Sequence, residues 1–285
     1  MAETLLHFDD VSFAWDTTRS LLRDISLSIA PNDCLALVGK NGAGKSTLLK
    51  LACGLNKPAR GRVCIGDLNT ATARPPQLAK RVALMFQEAE RQICHDRVAS
   101  EVGFAPRLAG HDQHEVHHRV TQALEITGLC SRKDCHPLDL NAGERRMLTL
   151  ASLIAQDTAL ILLDEPTRDF DAPLLARFER WMTAAQRQGR SILFISHDLD
   201  FVARRANRVL HLSHGSISAI GTATEVLRHP ELQEASTMAA PTLPALCQAL
   251  HLPVCTDLEG FQRHWRNQLT WRSSPNSTTM QSTSS

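Results

Sequence analysis

Gly39-Lys40-Asn41-Gly42-Ala43-Gly44-Lys45-Ser46 is the stretch from which the fold is read. It fits the pattern G-x-x-x-x-G-K-[ST]. The apolar run Cys34 to Val38 precedes it and reads as a buried strand. Thr47 to Cys53 follows and reads as a helix, with Gly54 beyond its end. Strand, glycine-rich loop and helix in that order make a phosphate cradle. The glycines let consecutive backbone N–H groups converge on phosphate oxygens. The helix N-terminus adds the positive end of its dipole. In such a loop Lys45 reaches the β- and γ-phosphates, and Ser46 ligates Mg2+.

A nucleotide-hydrolysing loop also needs an acidic strand end. Leu160-Ile161-Leu162-Leu163-Asp164-Glu165 supplies one. Asp164 is expected to hold Mg2+ through water. Glu165 stands one residue further, where a carboxylate polarises an attacking water. Acidic turns are common, so this element gains its meaning from the phosphate loop.

The surrounding chain alternates strands and helices. Leu5 to Phe8 and Ser12 to Trp15 read as two short strands, and Ile25 to Ile29 alternates in period two. Arg62 to Ile65 is a further strand. Asp112 and Glu115 have capping-box spacing. Val116, Val120, Ala123, Leu124 and Thr127 then share one helical face, and Gly128 ends that helix. Pro173 to Gln188 reads as a helix and Ser191 to Ile195 as a strand. Val209 to Leu212 and Ser216 to Ile220 flank His214-Gly215 as a hairpin. Such alternation predicts an α/β fold with a parallel sheet. Beyond about Ser236, Leu243 to Leu250 and Leu258 to Leu269 read as short helices. The final SSPNSTTMQSTSS has the composition of a disordered tail.

Composition narrows the function classes. Of 285 residues, 31 are Lys or Arg and 30 are Asp or Glu, so the formal charge is +1. That balance gives no support for a nucleic-acid partner. No run approaches the ~18 apolar residues of a membrane span. The opening MAETLLHFDD lacks a basic region followed by an apolar stretch, so no secretory signal is expected. The eight cysteines contain no CxxC pair and read as reduced thiols. Tyrosine is absent.

Further motifs fall in order, and with them the chain resembles the ATP-binding cassette (ABC) ATPases over about residues 3–235. Ser191 to Asp198, SILFISHD, is similar to the family's strand ending in a switch histidine, here His197. Gln87, in Leu84-Met85-Phe86-Gln87, matches the Q-loop glutamine. Leu140-Asn141-Ala142-Gly143-Glu144 resembles the signature LSGGQ, with Asn, Ala and Glu replacing Ser, Gly and Gln. Asp171 matches the D-loop aspartate. Trp15 falls where the family places an aromatic against adenine; taken alone it is an ordinary strand aromatic.

The resemblance implies a P-loop NTPase (RecA-like) core with a mainly parallel sheet. It adds an N-terminal antiparallel β subdomain, a helical signature subdomain at about residues 88–155, and a short C-terminal extension. The implied division is 1–235 for the ATPase domain, 236–272 for the extension and 273–285 for the tail. ATP and Mg2+ are the implied ligands. Trp15, Gly39, Asn41, Gly42, Ala43, Gly44, Lys45, Ser46 and Thr47 would contact nucleotide in this subunit. Asn141, Ala142 and Gly143 would cap the γ-phosphate held by the opposite one. Ser46, Gln87 and Asp164 form the Mg2+ set, and Glu165, His197 and Gln87 the catalytic set.

Phe86-Gln87-Glu88-Ala89-Glu90-Arg91-Gln92-Ile93, with Val98 and Glu101 to Pro106, is similar to the FQNPDDQLF…TVEEDVAFGP stretch of energy-coupling factor transporter ATPases. That group includes cobalt and nickel ATPases. Gln92 matches its second glutamine, and Met238 to Leu269 resembles its C-terminal extension. The likeness implies an importer motor for vitamins or Co/Ni ions, peripheral on the cytoplasmic face of the membrane. Its implied partners are a second, identical or different ATPase, a transmembrane coupling protein and a separate substrate-capture protein.

Three rival readings are compatible with the sequence. His114-Glu115-Val116-His117-His118 fits H-E-x-x-H, the zinc-protease motif, with His111 nearby. The apolar residues occupy the other helix face, so the histidines are expected to face solvent. A non-transport ABC ATPase is the second rival. The third is a weakly hydrolysing partner in a heterodimeric pair; the presence of Glu165 and His197 argues against it, and Asn141 and Ala142 keep it open.

Overall fold

In the computed structural model, residues 4–16, 20–227, 243, 246–247, 250, 252–253, 255 and 260–266 are described. The first strand, β1 (Leu6–Ala14), pairs with β2 (Ser20–Ile29) and with the later strand at Arg60–Ile65. The sequence suggests two strands here. The structure has one, with register shifts around Asp9–Val11 and Asp10 at φ 51°. The bulge turns the chain locally without ending the ladder.

β3 (Cys34–Val38) leads through the loop into α1 (Lys45–Ala52). The helix begins two residues earlier than its apolar pattern suggests, because Gly44 at φ 104° provides the turn and places Lys45 and Ser46 in the first helical turn. Next come β4 (Arg60–Ile65), β5 (Leu68–Asn69), α2 (Pro75–Ala79) and β6 (Val82–Met85). The helical region holds α3 (Val98–Val102), α4 (Phe104–Leu108), α5 (Gln113–Thr127) and α6 (Ala142–Gln156). Then follow β7 (Leu160–Asp164), α7 (Ala172–Arg187), β8 (Ser191–Ile195), α8 (Leu199–Arg205), β9 (Arg208–Ser213), β10 (Ser216–Gly221) and α9 (Ala223–Val226).

Two sheets result. One is antiparallel, in the order β2-β1-β4-β5. The other runs β10-β9-β3-β8-β7-β6, parallel throughout except for the β9–β10 hairpin. Alternation along the parallel strands builds two cores. Leu35, Leu37, Leu160, Leu162, Leu193 and Ile195 face α1 and the antiparallel sheet. Ala36, Val38, Ile161, Leu163, Ile192 and Phe194 face α5, α6 and α7. Strands buried on both faces read as continuous apolar runs, as β3, β7 and β8 do. Fully burying each Leu, Ile, Val or Phe side chain among them contributes about 1.5–3 kcal/mol.

The five residues expected to face inward on α5 are its buried ones, and Gly128 closes it at φ 79°. Half of its expected capping box forms. Asp112 accepts from Glu115 N at 2.8 Å, whereas the Glu115 carboxylate pairs forward with Arg119. In the C-terminal part, residues 260–266 are helical. The remaining expectations there, including most of the extension and the 273–285 tail, lie outside the described residues.

The two sheets are tied at the β9–β10 turn. Arg23 N donates to Gly215 O at 2.8 Å, and an Arg23 guanidinium nitrogen donates to His214 O at 2.8 Å. Gly215 has φ 80°, and a Cβ on it would lie 2.3 Å from Leu21 O. Gly215→Ala is therefore expected to destabilise the chain by about 2 kcal/mol. A lower urea midpoint at unchanged slope is the expected readout, and an unchanged midpoint would show that this tie is dispensable.

Candidate active site

The parallel register places the site. β8 lies between β3 and β7, with Leu37 opposite Ile195 and Asp164 opposite Ile195 on its other edge. The C-terminal ends of these three strands carry the phosphate loop, Asp164-Glu165 and His197 to one edge of the sheet. Ligands of open α/β sheets bind at such edges.

Within the loop, Gly39 cannot be replaced by a larger residue. A Cβ there would lie 2.2 Å from Leu212 O. A Cβ on Gly44 would meet the Leu22 side chain at 2.6 Å. Asn41 and Gly42 form the exposed tip, while Ala43 and Thr47 are buried against the core. Lys45 is buried, and its ammonium donates to Gly39 O at 2.7 Å and Lys40 O at 2.9 Å. Burial lowers its pKa, and the charges of Glu165 and Asp164 oppose that shift.

Asp164 is buried, and burial raises its carboxyl pKa; the Ser46 hydrogen bond opposes this. Ser46 and Asp164 thus present a hydroxyl and a carboxylate to the same point. Hard oxygen donors on a desolvated acid suit Mg2+. Glu165 follows at φ 49°, a left-handed conformation that costs a non-glycine residue roughly 1–3 kcal/mol. Its N–H donates to Ile195 O at 3.1 Å. Its carboxylate Oε1 stands 3.2 Å from His197 Nε2. The two residues expected to act on the water are therefore neighbours, and both are half-buried.

Gln87 is half-buried at the end of the segment after β6. Gln92 braces that segment: its Oε1 accepts from Phe86 N at 2.8 Å and its amide donates to Leu84 O at 2.7 Å. Asn141 and Ala142 are exposed at the start of α6. Asn141 caps the helix, accepting from Glu144 N at 2.8 Å, while Glu144 accepts from Asn141 N at 3.0 Å. Two of the three signature departures thus form a reciprocal capping box. Gly143 is buried, and a Cβ on it would lie 2.9 Å from Asp169 O. Asp171 caps α7 through Leu174 N at 2.9 Å. Trp15 is 65% exposed and packs edge-on against Phe13.

One functional contact was not visible in the sequence. Arg146, on α6, donates to the backbone carbonyls of Gln87 and Glu165. Its only sequence signal was a charged residue on the apolar side of a signature helix. The histidine-rich stretch behaves as expected: His111, His114, His117 and His118 are exposed. Among the described residues no group of three or more His, Cys, Asp or Glu could hold a metal ion.

The raised pKa of Asp164 has a definite sign. Its contribution to stability is fully present below the unfolded carboxylate pKa and is lost as pH rises through the folded value. Burial thus works against the charged form of Asp164. Asp164→Asn, without nucleotide, is expected to raise Tm as pH rises into the range where the carboxyl would ionise. The gain should shrink on acidification, and Mg2+-dependent turnover should be lost. Calorimetry across that pH range checks this; a lower Tm within it would contradict it.

Comparison with known proteins agrees with this geometry. Residues 22–168 match the family model described as ABC transporter. A putative ABC transporter ATP-binding protein of Pyrococcus furiosus is 32% identical over 263 residues, covering 91% of this chain and 98% of the relative. An energy-coupling factor transporter ATP-binding protein of Methanospirillum hungatei is 31% identical over 247 residues, covering 86% and 89%. Among solved structures, cbiO1 of Clostridium perfringens, part of the ABC transporter complex cbiONQ, superposes with TM-score 0.73 at 23% identity, covering 87% of this chain and 99% of that one. The chain belongs to the ABC transporter ATP-binding family, and ATP hydrolysis coupled to transport is its activity.

Proposed function

We propose that this chain is the ATP-hydrolysing subunit of an importer of the energy-coupling factor type. The observation that carries this reading is the brace formed by Gln92. This is the glutamine that distinguishes the subfamily stretch, and its side chain holds both Leu84 O and Phe86 N, ahead of Gln87. The identity to relatives named for energy-coupling factor transport supports the same reading. The cargo would be a small solute, such as a vitamin or a Co/Ni ion, captured by a separate membrane protein.

The residues divide the chemistry between them. The loop amides from Gly39 to Thr47 and the Lys45 ammonium bind the β- and γ-phosphates and neutralise charge that develops on transfer. Trp15 is exposed and free to stack on adenine. Ser46, Asp164 and Gln87 would hold Mg2+, which supplies Lewis-acid charge at the phosphate oxygens. Glu165 orients the attacking water and takes its proton. His197, 3.2 Å from the Glu165 carboxylate, holds that group and contacts the γ-phosphate region. Asn141, Ala142 and Gly143 of a second ATPase subunit would close over the nucleotide. ATP then favours the closed pair and hydrolysis releases it.

The transmembrane partner would dock where Gln92 meets the helical region. A cleft of about 530 Å³ lies there, lined by Leu84, Gln92, Phe104, Leu108 and Leu153 among others. Phe104 and Leu108 are 47% and 69% exposed. A short helix of the coupling protein fits this apolar floor. No helix among the described residues is long and apolar enough to cross a membrane. A peripheral place on the cytoplasmic face follows from docking to such a partner.

Glu165→Gln is expected to keep ATP binding and lower kcat by about 10²–10⁴-fold. Phosphate release and nucleotide binding, measured on the same preparation, check this; parent-rate turnover would remove Glu165 as the base. Leu108→Asp is expected to leave thermal stability unchanged and to abolish co-purification with membrane proteins from detergent extracts. Retention of those proteins would place the docking surface elsewhere.

A further inference from the structure

Arg146 is buried to 3% exposure, although it is a cation on a helix that begins at the protein surface. Its terminal nitrogens account for that position. One donates to Glu165 O at 3.1 Å. The other donates to Gln87 O at 2.9 Å and lies 3.4 Å from Asp169 Oδ2. Its Nε is buried and makes no hydrogen bond. A buried cation is tolerated only where acceptors replace its water. Here those acceptors come from two loops nearly eighty residues apart in sequence, and both belong to the nucleotide site.

The loop after β7 needs an external hold. Glu165 and Asp169 both adopt positive φ, 49° and 68°. Non-glycine residues keep such angles only where their surroundings impose them. Ile195 O holds Glu165 from the β8 side. Arg146 holds the same residue through its carbonyl and also contacts the Asp169 carboxylate.

The geometry points to Arg146 as a positioning residue for hydrolysis. Its guanidinium fixes the Q-loop and the Glu165–Asp169 loop to each other and to the signature helix. Gln87 and Glu165 are thereby presented to the nucleotide together, and a displacement of α6 moves both loops as one. Arg146 touches neither the phosphate loop nor the Lys45 ammonium in the contacts described, so it acts on turnover rather than on nucleotide capture. The inference rests on Glu165 being the group that orients water.

The test compares the parent chain with Arg146→Met and Arg146→Lys in Mg2+–ATP turnover. Misplacing a reacting group by about 1 Å costs on the order of 10²-fold, so kcat should fall by about 10- to 100-fold in both variants. KM for ATP should change by less than about threefold, the mark of an interaction that matters in the transition state alone. Lysine keeps the charge, but one ammonium cannot reproduce the fork that reaches both carbonyls. Should Arg146→Met fail to fold, Arg146→Lys decides. The inference is overturned if a folded variant keeps kcat within roughly twofold of the parent, or if kcat and ATP affinity fall together. Glu165→Gln, run in parallel, separates the two assignments. If it turns over at the parent rate, the water-orienting role of Glu165 fails. If it is inactive while Arg146→Lys is unimpaired, only the positioning role fails.

Discussion

The site depends on the parallel pairing of β3, β8 and β7. This pairing aligns three strand ends, Val38, Asp164 and Ile195, that are far apart in sequence. Hydrogen bonds of the ladder fix the register, and the register fixes where each loop begins. A one-residue slip would reverse every side chain between the two cores, so burial on both faces enforces it. Because of that constraint, Ser46 reaches Asp164 and His197 reaches Glu165. The chemistry follows from a backbone alignment more than from any single side chain.

Three costs are built into the aligned edge, and all fall on groups proposed to act on nucleotide. Asp164 is an acid that burial disfavours in its charged form. Glu165 holds a backbone angle that few non-glycine residues adopt. Burial likewise works against the charge of Lys45. A site that is uncomfortable alone gains most when phosphate and a divalent cation arrive. On the proposed function, the same balance would let ligand binding select between open and closed forms of an ATPase pair.

The sequence made the phosphate loop, Asp164-Glu165 and His197 legible because each is a local pattern next to an apolar strand. Ser191–Ile195 and the buried face of α5 came out as read. The readings that failed did so for local reasons. β1 looked like two strands because a bulge breaks its alternation. α1 starts earlier than its apolar residues because glycine geometry, not apolar pattern, starts it. The Asn141–Glu144 box has a readable spacing, but the same residues stand at signature positions, where spacing alone does not separate a helix cap from a nucleotide contact. Arg146 was out of reach, since its partners are main-chain carbonyls that only the assembled sheet brings near.

The alignment of separate strand ends into one hydrolytic site is tested most directly at His197, the residue furthest in sequence from the phosphate loop. Single-turnover phosphate release from Mg2+–ATP should be measured for the parent and His197→Ala chains, with nucleotide binding followed in the same samples. The account predicts that binding persists while the rate of phosphate release falls by about two orders of magnitude. Release at the parent rate would contradict it, because His197 would then stand beside Glu165 without sharing its work.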